Sequence, residues 1–333
     1  MKIAIVKLSA LGDIVYAMTV LQVIKEFNQD ILIDWVVEDC YSELLESHPH
    51  VNKVHTVNIK NVKKKNSLKF LLRELRKVKS FGRYDIVVDL QGLIKSALIS
   101  YLIPSNETVG FDKLSIKESV SSFFYNKTFR IGYEKNIIER NLKLIGFALD
   151  FPFNMNIVKD LNPYLYPSKQ SSNRIISRTK KNVILIPGAS HSSKRYPAAK
   201  FAELANIIDA QIIIIWGNSE EKNLANLIKI QSPMVHISNK LSLSLLIDLM
   251  SQVDLVIGSD TGPTHIAWAL KIPSICLFGL TPGYRNTFST DINRVIESES
   301  NINPLKIDKN DDSIKTIRVK DINNIANELL KIK

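Results

Sequence analysis

The chain consists largely of short apolar runs that alternate with segments of helical spacing, and this alternation occurs in two successive series. In the first series we predict strands at residues 3–7, 31–37, 53–57 and 85–90, with helices at 15–27, 41–47, 68–78 and 94–102. In the second we predict strands at 183–186, 211–216, 235–237, 255–258 and 274–278, with helices at 198–208, 220–230, 243–251 and 264–270. The strand runs are apolar throughout, which is typical of parallel strands covered by helices on both faces. The sequence therefore predicts an α/β fold with two doubly wound, Rossmann-like domains.

The two series are separated by a segment, residues 154–179, in which the periodicity fades and Pro, Asn, Ser and Lys predominate. Such a composition is typical of a linker, and a length of 333 residues also favours two domains. We therefore expect domains at 1–160 and 161–333, facing each other across a cleft. Ligands of doubly wound sheets bind beyond the carboxyl ends of the strands, so the turns that follow strands are the candidate sites.

The charge of the chain favours an anionic partner. Lys and Arg number 44 against 33 Asp and Glu, which gives a net charge of +11. Phosphates, nucleic acid and an acidic membrane surface all fit such a surplus, and so does a compositional bias with no partner behind it. The two cysteines, Cys40 and Cys276, are far apart and form neither a disulfide framework nor a zinc motif. No apolar run approaches the roughly 20 residues of a bilayer span, so we predict a soluble cytoplasmic protein.

The first candidate turn, residues 9–13, follows the first strand. A dinucleotide site of the Rossmann type requires GxGxxG here, whereas this turn contains only Gly12, which argues against NAD or FAD chemistry. Asp13 stands at the start of a helix. Two roles are open to its carboxylate: a helix cap that accepts backbone N–H groups, and a general base at the mouth of the cleft.

The second candidate turn, residues 187–190, is followed by Lys194 and Arg195 before the next helix. A glycine-bearing turn with hydroxyl residues and two cations is suited to binding phosphate, although it is not a Walker A loop. The alternative is a solvated Lys–Arg pair at a helix entrance.

The third candidate turn, residues 258–265, has the sequence GSDTGPTH. Cap residues and a proline in the first helical turn explain much of this pattern through local structure alone. A tight turn at a helix N-terminus is also an anion site, and His265 falls where it is able to point at such an anion. Zinc is disfavoured because no second His or Cys lies at ligand spacing.

A strongly basic segment, residues 60–79, contains nine Lys or Arg and a single acid, Glu74. Its first four lysines precede the predicted helix at 68–78, at the expected cleft mouth of the first domain. An acidic ligand or an anionic lipid surface fits this placement, and a solvated helix face is the alternative. Aromatic residues do not alternate with these cations, which argues against a stacking platform for nucleic acid.

Six segments spread over nearly the whole chain share one pattern. They are 6–13 (VKLSALGD), 34–38 (DWVVE), 89–97 (DLQGLIKSA), 123–126 (FFYN), 194–197 (KRYP) and 260–265 (DTGPTH). Together they resemble the bacterial lipopolysaccharide heptosyltransferases, which are inverting glycosyltransferases of the GT-B fold. Segments 89–97 and 123–126 are similar to the type I enzymes, which add the first heptose to Kdo on lipid A. The turn at 187–190 is closer to the type II enzymes.

The resemblance implies that Asp13 is the general base toward the acceptor hydroxyl and that Lys194 neutralises the diphosphate of ADP-heptose. The implied donor-binding residues are Ala189, Ser190, Lys194, Trp216, Glu221, Leu241, Asp260, Thr261, Gly262 and His265. Within this set, Glu221 matches the acid that binds the ribose, and Leu241 stands where the backbone of the family reads adenine. The chain departs from the type I pattern at residues 189 and 190, where two threonines are usual, and at Tyr196, where Trp is usual.

The implied acceptor-binding residues are Ser9, Gly12, Lys60, Lys63, Lys64, Gln91 and Lys117. No D-x-D metal pair is present in the predicted cleft turns, so we expect neither a metal nor a cofactor, ADP-heptose being a substrate. The resemblance thus implies transfer of heptose from ADP-L-glycero-D-manno-heptose to Kdo-lipid A by a cytoplasmic enzyme that is peripherally attached to the inner membrane. The alternatives are a heptosyltransferase II, another GT-B sugar transferase, and, outside enzymes, a basic nucleotide- or nucleic-acid-binding module.

Overall fold

The computed structural model describes residues 1–59, 68–152, 154–167, 175–300, 307–308 and 310–332. The chain forms two compact units, Met1–Leu161 and Asn162–Lys333, which divide one residue after the boundary expected from the sequence. Each unit contains a six-stranded sheet in which every pairing is parallel.

The sheet of the first unit has the strand order β3-β2-β1-β4-β5-β6. Its strands are β1 (Lys2–Val6), β2 (Leu32–Glu38), β3 (Lys53–Val57), β4 (Tyr84–Asp89), β5 (Ser105–Phe111) and β6 (Lys127–Phe129). The α-helices of its described part are α1 (Leu11–Ala17), α2 (Thr19–Phe27), α3 (Leu68–Lys79), α4 (Ile94–Leu102), α5 (Ile137–Leu149) and α6 (Ile157–Asp160). Short 3₁₀ helices cover Asp39–Leu44 and Ser119–Phe124.

The sheet of the second unit has the equivalent order β12-β11-β10-β7-β8-β9. Its strands are β7 (Asn182–Ile186), β8 (Gln211–Ile214), β9 (His236–Ile237), β10 (Leu255–Ser259), β11 (Ser274–Phe278) and β12 (Asn293–Glu297). The α-helices described here are α7 (Ala198–Ile207), α8 (Ser219–Gln231), α9 (Leu243–Met250), α10 (Gly262–Ala269), α11 (Gly283–Asn286) and α12 (Val319–Leu329). Two further 3₁₀ helices are Ser192–Lys194 and Ser313–Thr316.

The strand order places the candidate turns at equivalent points of the two sheets. In the first unit the chain moves outward from β1 through β2 and β3, and then outward in the other direction from β4. In the second unit β7 and β10 have the same relationship. The turns that follow these four central strands therefore meet in pairs where the direction of winding reverses, the usual ligand position in doubly wound sheets.

Several predicted elements differ from those observed. The single helix predicted at 15–27 is two helices, α1 and α2, and the helix predicted at 41–47 is the 3₁₀ helix Asp39–Leu44. Strands β5, β6 and β12 and helices α5 and α12 were not predicted. The three strands carry polar residues at half or more of their positions, so they lack the continuous apolar run that marks the central strands.

The segment predicted as a linker is partly packed structure. It contains α6, and Val158, Leu161, Tyr164 and Leu165 are buried. The Tyr164 backbone N–H donates to the carbonyl of Ala269 at 3.1 Å. The Pro, Asn and Lys residues between these buried positions give the segment the composition of a linker, and composition alone does not show which of its apolar residues are buried.

Candidate functional site

The turn that follows β1 presents Asp13 at the surface. Asp13 is the third residue of α1, its side chain is exposed, and its Oδ2 accepts a hydrogen bond from the backbone N–H of Ala10 at 3.1 Å. The carboxylate therefore reaches back to cap the first helical turn. This bond also gives the exposed carboxylate a fixed position, so the cap contact and a role as base are compatible.

The turn that follows β4 lies directly against the turn that follows β1. The Oε1 atom of Gln91 accepts from the backbone N–H groups of Leu8 at 2.7 Å and Ser9 at 3.2 Å. The Lys95 Nζ donates to the Ser9 Oγ at 3.0 Å. Lys95 was not among the predicted site residues, although it follows Gln91 by four positions in the same segment. Its ammonium group adds positive charge beside the turn that carries Asp13.

Of the predicted acceptor lysines, the structure describes one. Lys117 is exposed and its Nζ lies 5.2 Å from the centre of the Tyr133 ring. The neighbouring Glu118 accepts from the backbone N–H of Ile94 at 2.7 Å, which attaches this loop to the start of α4. Lys60, Lys63 and Lys64 lie outside the described residues.

In the second unit a buried carboxylate gathers three side chains from separate turns. Asp260 Oδ2 lies 2.5 Å from the Lys194 Nζ and accepts from the Thr281 Oγ1 at 2.7 Å, and its Oδ1 lies 3.1 Å from the His265 Nε2. Burial of Asp260 opposes ionisation, but the hydrogen bond from His265 and the charge of Lys194 outweigh it and hold the pKa of Asp260 below its usual range. The carboxylate is therefore charged and balances the ammonium group beside it.

This cluster changes the interpretation of three predicted residues. The position of His265 in the sequence allows it to point at an anion, whereas in the structure its Nε2 faces the Asp260 carboxylate within the same turn. The alternative of a solvated Lys–Arg pair is wrong, because Lys194 is held by Asp260 and Arg195 pairs with Glu220 and donates to the carbonyl of Ala189 at 3.1 Å. Thr281 was not predicted. It lies in the turn after the predicted strand 274–278, so the expectation that ligands bind in turns after strands would have identified it.

Helix α10 begins beside this cluster. Its N-cap is Thr261, and within the described chain the Thr261 side chain makes no capping bond. Thr264 Oγ1 instead donates to the carbonyl of Ser259 at 2.8 Å and lies so near Gly258 that a Cβ there would stand 2.5 Å away. The backbone N–H groups at such a helix start attract anions, and an ammonium group lies next to this one.

The glycine of the second candidate turn makes room for an acidic side chain. A Cβ on Gly188 would stand 2.4 Å from the Cδ of Glu221, so only glycine allows this carboxylate to cross the turn. Glu221 Oε2 also accepts from the backbone N–H of Gly217 at 2.7 Å. Ser190 is exposed and Ala189 is buried on the same turn. The structure thus places the carboxylate of Glu221, a residue of α8, against the second candidate turn, residues 187–190.

The remaining residues that were predicted to bind the donor lie on the adjoining loops. Trp216 follows β8, and its Nε1 donates to the carbonyl of Ser238 at 2.8 Å, while the Lys222 Nζ lies 4.9 Å from the centre of its ring. Leu241 is half-buried and precedes Ser242, the N-cap of α9. These contacts join the turn after β8 to the segment after β9, so Trp216 and Leu241 belong to one edge of the sheet.

Two classes of feature are absent from the described residues. They contain no group of three His, Cys, Asp or Glu side chains placed to hold a metal ion. None of the helices in the same ranges is long and apolar enough to cross a membrane.

Comparison with known proteins gives consistent results. The model of glycosyltransferase family 9 (heptosyltransferase) matches residues 71–312. The chain is 40% identical to lipopolysaccharide heptosyltransferase 1 of Campylobacter coli, with 99% of each chain covered. It is 27% identical to lipopolysaccharide heptosyltransferase 1 of Pseudomonas aeruginosa, over 86% of this chain and 81% of that one.

The fold is also that of a solved heptosyltransferase. A structure of an Escherichia coli heptosyltransferase with ADP superimposes with a TM-score of 0.80 at 21% identity, covering 99% of this chain and 100% of the other. The similarity confirms the predicted GT-B class, with its two parallel-sheet α/β domains. The family match and the 40% identical relative exclude the alternative of a nucleic-acid-binding module, and the chain belongs to glycosyltransferase family 9, the heptosyltransferases.

Proposed function

We propose that this heptosyltransferase moves heptose from ADP-L-glycero-D-manno-heptose to the Kdo residue of Kdo-lipid A, with inversion at the anomeric carbon. The observation that carries the proposal is the Lys194–Asp260 pair beside the N-terminus of α10, where a diphosphate finds positive charge and backbone donors together. The names of the two relatives, both lipopolysaccharide heptosyltransferase 1, support the first heptose as the one transferred.

The second unit, in this proposal, binds the donor. Lys194 carries three N–H donors, so one is able to remain on Asp260 while the others reach phosphate oxygens. Asp260 keeps the ammonium group charged and in place, and the backbone of Thr261 and Gly262 meets the leaving phosphate. Negative charge on that phosphate increases as the sugar departs, so these groups stabilise the transition state more than the ground state.

The other donor contacts follow the edge of the same sheet. Glu221 binds the ribose hydroxyls, the backbone at Leu241 meets the adenine, and Trp216 lies between the two. Ser190, exposed on the turn that Glu221 crosses, donates to the diphosphate. Ala189 and His265 support the turns that carry these groups.

The first unit binds the acceptor, and Asp13 is its general base. The Asp13 carboxylate takes the proton of a Kdo hydroxyl, that oxygen bonds to the anomeric carbon, and the bond from the carbon to the ADP oxygen breaks. Ser9, Gly12 and Lys117 are the described acceptor contacts of the proposal. Lys60, Lys63 and Lys64 complete it as cations toward the acidic acceptor, and no metal or cofactor takes part.

We also propose that the first unit touches the inner leaflet of the inner membrane. The support is three exposed apolar residues, Leu114, Val120 and Phe123, in a stretch of chain that also carries the exposed lysines Lys113 and Lys117. Val120 and Phe123 are three residues apart on a 3₁₀ helix and therefore share one side of it. Exposed apolar residues beside cations are typical of surfaces that enter the headgroup layer of anionic bilayers.

The test is incubation of the purified protein with ADP-heptose and Kdo-lipid A, followed by mass spectrometry of the lipid. We expect one added heptose, in the presence or absence of EDTA. A parallel reaction uses an acceptor that already carries the first heptose. Addition only to that second acceptor makes the protein a type II enzyme, which is the alternative that the turn at 187–190 favours. Complete loss of activity in EDTA, restored by Mg²⁺, would contradict the lysine-based mechanism.

A further inference from the structure

The side-chain amide of Gln91 is occupied by the backbone of the turn after β1. Its Oε1 accepts from both Leu8 and Ser9, and its Nε2 donates to the Ser9 Oγ at 3.4 Å. One further bond leads onward along the chain: the backbone N–H of Ala10, the N-cap of α1, donates to Asp13 Oδ2 at 3.1 Å. Gln91 thus holds the segment from which the Asp13 carboxylate is positioned.

Gln91 is itself held by a buried carboxylate. Asp89 Oδ1 accepts from the backbone N–H groups of Gln91 at 2.8 Å and Gly92 at 3.2 Å. Its Oδ2 accepts from the Tyr125 hydroxyl at 2.8 Å. Gly92 has a φ of +68°, a backbone conformation that favours glycine. A Cβ on Gly110 would stand 2.3 Å from the Tyr125 ring, so glycine at this position leaves room for the tyrosine. Asp89 is wholly buried and Tyr125 nearly so, which places neither within reach of a substrate.

We propose that Gln91 is a positioning residue for Asp13, and that Asp89 and Tyr125 keep Gln91 in its working orientation. The inference rests on the proposed function, in which Asp13 is the base, and it replaces the expected role of Gln91 as an acceptor contact. A base acts only within hydrogen-bond reach of the proton it removes, and a displacement of about 1 Å can cost on the order of 10²-fold in rate. We call this series of hydrogen bonds, from Tyr125 through Asp89 and Gln91 to the turn that carries Asp13, the relay. It affects the chemical step, and its residues are not among those proposed to bind ADP.

The chain offers a matched control for the outer end of this relay. Tyr84 is also a buried tyrosine, and its hydroxyl donates to the buried carboxylate of Asp34 at 2.7 Å. Tyr84 opens β4, whereas Asp89 closes the same strand, so the two tyrosine–aspartate pairs lie toward opposite ends of one sheet. Tyr84→Phe and Tyr125→Phe each delete one hydroxyl donor to a buried carboxylate, and only the second lies on the side of Asp13.

The experiment compares kcat, the KM of each substrate and the melting temperature for these two variants and the wild-type protein. We expect Tyr125→Phe to lower kcat about tenfold with both KM values unchanged, and Tyr84→Phe to leave kcat unchanged although it lowers the melting temperature. Equal kcat for Tyr125→Phe and the wild-type protein would overturn the relay, and so would equal losses in the two variants.

Gln91 is tested directly with two substitutions. They keep the proposal testable if the Tyr125→Phe protein does not fold. Gln91→Leu removes every hydrogen bond of the amide, so we expect kcat to fall about 100-fold. Gln91→Glu keeps oxygens that accept from Leu8 and Ser9, so it recovers most of the rate. A higher acceptor KM with unchanged kcat in Gln91→Leu would return Gln91 to the role of an acceptor contact and overturn the proposal.

The double variant Asp13→Asn/Gln91→Leu separates this inference from the function on which it rests. If Gln91 acts through Asp13, the double variant is no slower than Asp13→Asn alone, because residues that work as a unit are not additive. Multiplied losses would show that Gln91 acts independently of Asp13 and overturn the relay. Full activity of Asp13→Asn alone would instead contradict the proposed base, whatever the Gln91 variants do.

Discussion

The Nζ of Lys194 lies 2.5 Å from the Oδ2 of Asp260, and the two residues are 66 positions apart in the chain. Asp260 is buried, and the Lys194 side chain keeps 20% of its surface exposed. The carboxylate thus occupies one side of the ammonium group, and the lysine side chain as a whole is not fully enclosed by protein. This arrangement suits a cation that must stay charged and fixed before an anionic ligand arrives, because a preorganised charge needs no rearrangement in the transition state.

Replacing Lys194 with Ala should weaken donor binding and also slow the reaction. In the proposed function the ammonium group balances the diphosphate, whose charge grows as the sugar leaves, so we expect kcat to fall on the order of 10²–10³-fold. Calorimetric titration with ADP measures the binding loss, and steady-state kinetics measure kcat. The control is Lys180→Ala, which removes an exposed lysine paired with Asp209 in the same unit. Wild-type ADP affinity and kcat in Lys194→Ala would refute the phosphate assignment.

Replacing Asp13 with Asn should abolish most turnover without unfolding α1. The amide oxygen of Asn still accepts from Ala10, whereas it takes no proton from the acceptor, so we expect a 10²–10⁴-fold lower kcat with unchanged ADP affinity. Product mass over time and ADP titration check the two parts separately. Asp30→Asn, an exposed carboxylate of the same unit, serves as control. An unchanged kcat would leave Asp13 with the capping role alone.

Replacing Phe123 with Ser should reduce binding to anionic vesicles. Phe123 is 82% exposed on the 3₁₀ helix, so its ring contributes little to the packing of the fold and we expect an unchanged melting temperature. We also expect weaker co-sedimentation with phosphatidylglycerol vesicles, because an apolar group that enters the headgroup layer is removed. Met234→Ser is the matched control, since Met234 is 85% exposed in the second unit.

Three results would count against a membrane surface at Phe123. Equal vesicle binding by Phe123→Ser and the wild-type protein is the first, and equal losses in the two variants is the second. The third is a dimer of the wild-type protein in solution that Phe123→Ser converts to a monomer, which would assign the apolar surface to a second copy of the chain.

The buried carboxylate of Asp34 should make the stability of the first unit depend on acid. Burial opposes its ionisation, yet hydrogen bonds from His55, Asn52, Tyr84 and Lys2 prevail and hold the pKa of Asp34 below its usual range. A depressed pKa stabilises the fold above the ordinary aspartate pKa of about 4, and this contribution is lost as the pH falls from there toward the pKa of the folded state.

Asp34→Asn removes this contribution at every pH. Breaking a buried charge cluster costs about 3–5 kcal/mol of unfolding free energy, so the urea midpoint of the variant should lie well below that of the wild-type protein at pH 7 and pH 5. The gap should narrow at pH 3.5, because the unfolded wild-type chain takes up a proton at Asp34 while the folded carboxylate stays ionised, and Asn has no such equilibrium. A gap of constant size across this range would contradict the assignment. Asp85→Asn is the control, since Asp85 also accepts a hydrogen bond from Lys2 but is exposed.

The amino-acid sequence alone was enough to predict the fold class, the central strands and the turns that hold the candidate site. Central parallel strands are buried on both faces, so they stand out as apolar runs, and the turns after them are identified by Gly, Asp and Thr at helix starts. Strands β5, β6 and β12 were not predicted because polar residues interrupt them, and the packed part of 154–167 was not predicted because its few buried residues stand among Pro, Asn and Lys.

The tertiary structure decided which turns meet and what each side chain contacts. Local spacing placed Asp260, Lys194 and Thr281 after three different strands, but only the order β11-β10-β7 brings them to one carboxylate. Likewise, nothing in the sequence indicated that Gln91 contacts Leu8 and Ser9, because that contact depends on the pairing of β1 with β4. Propensity and hydrophobic pattern act over a few residues, whereas these contacts span 21 to 83 positions and depend on strand order, which no local signal encodes.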